Sequence, residues 1–99
     1  MKLSVVRNGS SLIVNLTGRI DSNNAPQFES ELREVLDGVS VLVLDMGSLD
    51  YISSAGLRTL LEAQKLMEAA GGSMTLLQVP DNIREILDMT GFTEFLTIL

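Results

Sequence analysis

The chain contains no cysteine and no histidine. It therefore has no disulfide framework, no CxxC redox pair, no conventional Cys/His zinc site, and no Ser-His-Asp or Cys-His nucleophile. Lysine is nearly absent, with only Lys2 and Lys65, and the net charge is -6. Phosphate backbones are bound by clustered Lys and Arg, so this balance argues against a nucleic-acid partner. No stretch approaches the ~20 consecutive apolar residues of a membrane-spanning helix. The first residues, Met1 to Arg7, carry charge within a strand-like run instead of a long apolar leader. The expectation is a cytoplasmic protein without membrane insertion. Repeats, linkers and low-complexity segments are missing too. No glycine-rich phosphate loop is present, so no dedicated nucleotide site is expected, and no metal or other cofactor is expected either.

What is present suits one small domain. Ninety-nine residues with 45% hydrophobic content support a single core and are too few for two. Leu3 and Val5, then Leu12, Val14 and Leu16, alternate with period two around Asn8-Gly9, which predicts an antiparallel hairpin turning at that pair or through a loop lengthened by Ser10 and Ser11. Gly18 is expected to end the second strand, with Arg19 to Asn24 as a polar surface loop. Ser22, Asn23 or Asn24 can cap a helix over about Ala25 to Asp37, whose inner stripe is Phe28, Leu32, Val35 and Leu36 and whose stop is Gly38. Val39 to Leu44 is a nearly unbroken apolar run that reads as a strand buried on both faces and ending at Asp45. Met74 to Val79 reads as a further strand closed by Pro80. A helix then starts at Asp81 or Asn82, with Ile83, Ile86 and Leu87 inward, and stops at Gly91. The apolar tail from Phe92 to Leu99 is expected to pack as a short helical turn or strand.

The stretch from Leu49 to Leu57, Leu-Asp-Tyr-Ile-Ser-Ser-Ala-Gly-Leu, joins the central strand to a helix with a stripe of Leu57, Leu60, Leu61, Gln64 and Met67. That helix is expected to run to about Ala70, with an Arg58–Glu62 pair on its solvent side, the second reading being that Arg58 meets an acidic group on a partner or, after modification, a phosphate. Ser53 and Ser54 fall at its N-terminus, where free backbone N–H groups favour a capping oxygen or an anion. One reading makes a serine an N-cap and nothing more. The other makes an exposed hydroxyl here a phosphate acceptor. Spacing and periodicity do not decide between them. Asp45 and Asp50, a few residues apart, are a weak magnesium pair and are better read as solvated loop acids.

Asp-Tyr-Ile-Ser-Ser-Ala-Gly-Leu-Arg, with Leu-Thr-Gly-Arg-Ile-Asp upstream and Met-Thr-Gly-Phe downstream, resembles the STAS domain, and most closely the bacterial anti-sigma factor antagonists. The resemblance covers essentially residues 1–99 in family order, as one STAS domain. In that family the serine directly after an aspartate is phosphorylated by an anti-sigma factor that is itself a protein kinase. Matching Gly56-Leu57 to the family's Gly-Leu puts the phosphoacceptor at Ser54. The family's aspartate falls on Ser53, which supplies a neighbouring hydroxyl and is the second candidate. The resemblance also implies a partner-binding surface drawn from Asp21, Ser22, Asn23, Ser53, Ser54, Gly56 and Arg58.

The element order implies an α/β fold with a mixed four- to five-stranded sheet and helices mainly on one face, as the resemblance does. The implied mechanism is partner switching. The unphosphorylated protein binds the anti-sigma factor serine kinase and releases sigma factor, phosphorylation at Ser54 breaks that complex, and a phosphoserine phosphatase resets it. The protein is then a kinase substrate and not an enzyme. A STAS scaffold without phosphorylation, in a sensory or transport complex, is the main alternative. An aspartyl-phosphate receiver using Asp45 and a serine hydrolase using Ser54 are weaker ones, since the first lacks its acidic pair and lysine and the second its histidine.

Overall fold

The computed structural model describes residues 1–99. In chain order it contains strand β1 (Lys2–Asn8), strand β2 (Ser11–Ile20), helix α1 (Ala25–Val35), strand β3 (Val41–Ile52) and helix α2 (Ser54–Ala69). Strand β4 (Ser73–Leu77), helix α3 (Asp81–Met89), a 3-10 turn (Phe92–Glu94) and strand β5 (Thr97–Ile98) follow. The five strands form one sheet in the order β1-β2-β3-β4-β5, with β1 antiparallel to β2 and the other pairs parallel. The α/β class, the mixed sheet and the covered face match expectation. The apolar tail supplies both of the elements left open for it.

Strand order explains the layering. Each parallel step is a crossover through a helix, and such crossovers are right-handed almost without exception. When successive steps all move the same way across the sheet, a fixed hand puts all the helices on one face. That face is the core: Leu12, Val14 and Leu16 of β2, Leu42, Leu44 and Met46 of β3, and Met74 and Leu76 of β4 are buried beneath the helices. Phe28 and Leu32 of α1, Leu57, Leu60 and Met67 of α2, and Ile83 and Leu87 of α3 cover them. The opposite face stays open, with Val6, Ile13 and Val41 exposed. The central strand is therefore not buried on both faces, since its apolar run alternates between core and open sheet.

Several boundaries differ from the sequence reading: α1 ends at Val35, short of Asp37, and β4 at Leu77, short of Val79. Asn8 pairs with Ser11, so Gly9-Ser10 and not Asn8-Gly9 make the hairpin loop. Gly18 does not end β2. It sits at φ +92°, a conformation that costs little only for glycine, beside a register shift, and the strand continues to Ile20. Nor does β3 end at Asp45. Its pairing with β4 stops there, at Asp45 opposite Leu77, but it continues against β2 to Ile20 opposite Ile52. Between Asn15 and Ile20 two register shifts each give β3 one residue more than β2. Bulges of this kind bend a strand and raise its twist. The β2–β3 ribbon consequently projects past the rest of the sheet and carries the connections to α1 and α2 at its tip.

Candidate functional site

The two connections meet where β2 and β3 end. The Ser53 backbone N–H donates to the Ile20 carbonyl at 2.8 Å, fastening the start of α2 to the end of β2. Ser53 is extended (φ -84°, ψ 171°) and is the N-cap, its Oγ accepting from the Gly56 N–H at 3.2 Å. It is only 7% exposed. Ser54, the first helical residue, is exposed and its hydroxyl has no hydrogen-bond partner within the protein. Adjacent serines thus differ in kind: one hydroxyl is buried and committed to the helix, the other faces solvent uncommitted.

Gly56 explains how the helix comes so close to the ribbon. A Cβ at this position would lie 2.7 Å from Ile52 Cγ1 and 2.8 Å from Ile20 Cγ2, both belonging to buried side chains. The glycine is itself buried, so it contributes close approach and offers no surface for a partner to touch.

The β2–α1 connection is built by Asp21. Its Oδ1 accepts from the backbone N–H groups of Asn23 at 2.9 Å and Asn24 at 3.0 Å. Asn24 occupies the N-cap position of α1 but makes no side-chain cap. Its Oδ1 instead accepts from the Asp21 N–H at 2.8 Å, and its Nδ2 donates to the Arg19 carbonyl at 2.9 Å. Ser22 and Asn23 are exposed at the tip. The other Asp21 oxygen lies 3.6 Å from Arg19 Nε, and the Arg19 guanidinium sits 5.0 Å from the Tyr51 ring centroid. Arg19 and Tyr51 are register partners across the ribbon. The sequence reading missed this pair, because only the bulges bring them opposite each other.

Ser22, Pro26 and Glu29 on one side and Arg58, Thr59 and Glu62 on the other line an open cleft of about 190 Å³ between the first turns of α1 and α2. The expected Arg58–Glu62 pair does not form. The ion pairs of the protein are Arg19–Asp21, Arg33–Glu29 and Arg84–Asp88. Arg84 and Asp88 pair with the same order and spacing on α3, so the order of the charges alone does not explain why Arg58 and Glu62 stay apart. On the far side, Asn82 at the start of α3 donates its Nδ2 to the Asp50 carbonyl at 3.0 Å, bracing the β3–α2 connection. Asp45 accepts from the Gly47 N–H at 3.0 Å, where β3 leaves β4. No three His, Cys, Asp or Glu side chains gather where they could hold a metal ion. No helix is long and apolar enough to cross a membrane.

A mixed sheet covered on one face, with a polar, exposed helix start at the carboxyl ends of its central strands, defines a class of small α/β folds. Within that class the chain belongs to the STAS domain family, whose sequence profile matches residues 2–99. It is 41% identical over 93% of its length to BtrV of Bordetella bronchiseptica, provisionally named an anti-sigma factor antagonist, covering 80% of that protein. The anti-sigma F factor antagonist of Paenibacillus polymyxa is 28% identical over 88% of this chain and 76% of its own. The fold also matches the Bacillus cell fate determinant SpoIIAA, solved in its phosphorylated form, with a TM-score of 0.76, 16% identity, and coverage of 99% of this chain and 91% of that one.

Proposed function

We propose that this chain is an anti-sigma factor antagonist that works by partner switching, with Ser54 as the phosphoacceptor. The observation that carries the reading is the contrast between the two serines. Ser54 is exposed with a free hydroxyl, whereas Ser53 is buried and spends its hydroxyl on the Gly56 N–H. The names of the relatives support the general role, and the phosphorylated form of SpoIIAA supports the type of modification.

In this reading the unmodified protein presents Asp21, Ser22, Asn23, Ser54 and Arg58 to an anti-sigma factor that is a serine kinase, and sigma factor is released. Transfer of a phosphoryl group to Ser54 adds about -1.5 to -2 charges. Inside an interface that already contains Asp21 and Asp50, this brings like-charge repulsion and a desolvation cost, and the complex separates. In the free protein the start of α2 stabilises the phosphate, so the domain stays folded. A phosphoserine phosphatase restores the starting state. The chain acts in the cytoplasm as a substrate and ligand and performs no catalysis.

The test is a phosphosite map by mass spectrometry after incubation with ATP and each candidate anti-sigma kinase of its genome, using wild type, Ser53→Ala and Ser54→Ala. Phosphate on Ser54, lost only in Ser54→Ala, together with weaker kinase binding by the phosphorylated form, is the expected result. Phosphate confined to Ser53 would overturn the acceptor assignment. No phosphate with any kinase would overturn regulated antagonism and leave an unmodified STAS scaffold.

A further inference from the structure

Four of the five arginines are already engaged. Arg19, Arg33 and Arg84 form ion pairs, and Arg7 donates to the carbonyls of Gly9 and Asp37. Arg58 alone has neither an ion pair nor a hydrogen bond, and it is exposed four residues after Ser54 on α2. Side chains four apart on a helix are neighbours, with Cβ atoms about 6 Å apart.

The other charged groups around it do not claim it. Glu62 lies one turn further along α2 and makes no ion pair with Arg58, the ion pairs being Arg19–Asp21, Arg33–Glu29 and Arg84–Asp88. Glu29 faces the same cleft from α1 but is held by Arg33 at 3.2 Å. Asp21 is occupied by two backbone N–H groups and by Arg19. Asp50, on the β3 side of Ser54, makes no ion pair, and its carbonyl is held by Asn82.

We infer that Arg58 is an internal latch for phosphorylated Ser54. The inference rests on the reading of Ser54 as phosphoacceptor. An anion at Ser54 stands N-terminal to Arg58, the favourable order, and the planar guanidinium matches two phosphate oxygens in a fork that a lysine cannot reproduce. The latch makes the switch double. In the unmodified protein Arg58 is free to meet an acidic group on the partner. Phosphorylation places a negative charge in the interface and, in the same event, withdraws a positive one.

The experiment installs phosphoserine at Ser54 by genetically encoded incorporation in the full chain, so that no kinase is needed, and titrates the phosphate by 31P NMR in wild type and Arg58→Gln. An opposite charge beside the phosphate favours its dianion, so the expected wild-type pKa is lower by about 0.2–0.4 unit. The expected gap narrows in high salt, and the Arg58 Nε–H resonance moves with the phosphate titration in wild type. Pairing through the fork also predicts that Arg58→Lys recovers only part of the shift. Agreement of the wild-type and Arg58→Gln values within about 0.1 unit would overturn the latch. That result would leave Ser54 standing as acceptor, whereas a kinase that never modifies Ser54 would sink the acceptor reading without touching this titration.

Discussion

Removing the two hydroxyls one at a time separates their roles. Ser53→Ala deletes the acceptor for the Gly56 N–H, a 3.2 Å bond that lies in the interior. The loss has two parts, the missing N-cap and an N–H left buried without a partner, because the cap is only 7% exposed and water reaches it poorly. Cap removal typically costs ~1 kcal/mol, and an unsatisfied buried donor about 1–3 kcal/mol. These overlap, since they describe the same bond, so the expected destabilisation is about 1–2 kcal/mol. In a domain of this size 1 kcal/mol lowers Tm by roughly 4–8 °C. Ser54→Ala removes an exposed hydroxyl without a partner and should stay within about 0.5 kcal/mol of wild type.

The assay is urea unfolding followed by circular dichroism, with the slope fixed by the wild type if the three slopes agree. Ser53→Asp is the control, because aspartate caps as well as serine and gains from the helix macrodipole. It should recover most of what Ser53→Ala loses. If Ser53→Ala unfolds within about 0.3 kcal/mol of wild type, or if Ser54→Ala is the more damaging, the cap assignment is wrong. The distinction between the two serines falls with it.

Gly56→Ala should cost about 1–2 kcal/mol in the same assay: the clash with Ile52 and Ile20 costs about 1–3 kcal/mol, partly offset by up to ~1 kcal/mol of helix propensity. A neutral or stabilised Gly56→Ala would show that α2 does not sit as close to the ribbon as described. Leu42→Ala, at a fully buried position in the central strand, should lose about 2–5 kcal/mol, which urea unfolding would show as a midpoint far below that of Ser53→Ala. Asn82→Ala removes the brace to the Asp50 carbonyl. It should raise amide hydrogen exchange in the β3–α2 connection while changing global stability by less than about 1 kcal/mol.

The helices were legible because their signals are local. Phe28 and Leu32, or Leu57, Leu60 and Met67, repeat at helical spacing, and glycines stand after each of the three α-helices. Strand ends were harder to read. The unbroken run from Val39 to Leu44 reads as a strand ending at Asp45, whereas the buried positions alternate through Leu42, Leu44 and Met46 and then step by three, to Leu49 and Ile52. Each step of three marks a bulge, and without knowing that β2 pairs here the pattern looks like the end of a strand. The same blindness hid Arg19 and Tyr51, which become neighbours only through that shifted register. Asp21 was visible as a residue of interest. Its bonds to the Asn23 and Asn24 N–H groups are the ordinary business of a loop aspartate, and these are what the structure contains.

The division of labour at Ser53 and Ser54 gives a reason for the site to be built this way. A dianion on Ser53 would have to occupy a buried position and would remove the cap from α2, so modification there would be paid for in folding stability. At Ser54 the same charge would enter water beside free helix N–H groups and Arg58, leaving the packing of Gly56 on Ile20 and Ile52 as it is. The ribbon tip is fixed from three directions, by the Ser53 N–H on Ile20, by Gly56 and by Asn82, so under the proposed function a phosphate at Ser54 would change the charge of the surface and keep its shape. A switch of that kind can discriminate between partners through electrostatics alone, and its response should weaken as salt screens the exposed groups. Measuring the ratio of partner affinities for unmodified and phosphorylated protein at about 50 mM and about 500 mM salt tests this, because charge repulsion predicts a ratio that falls steeply, whereas a refolded helix start predicts one that does not.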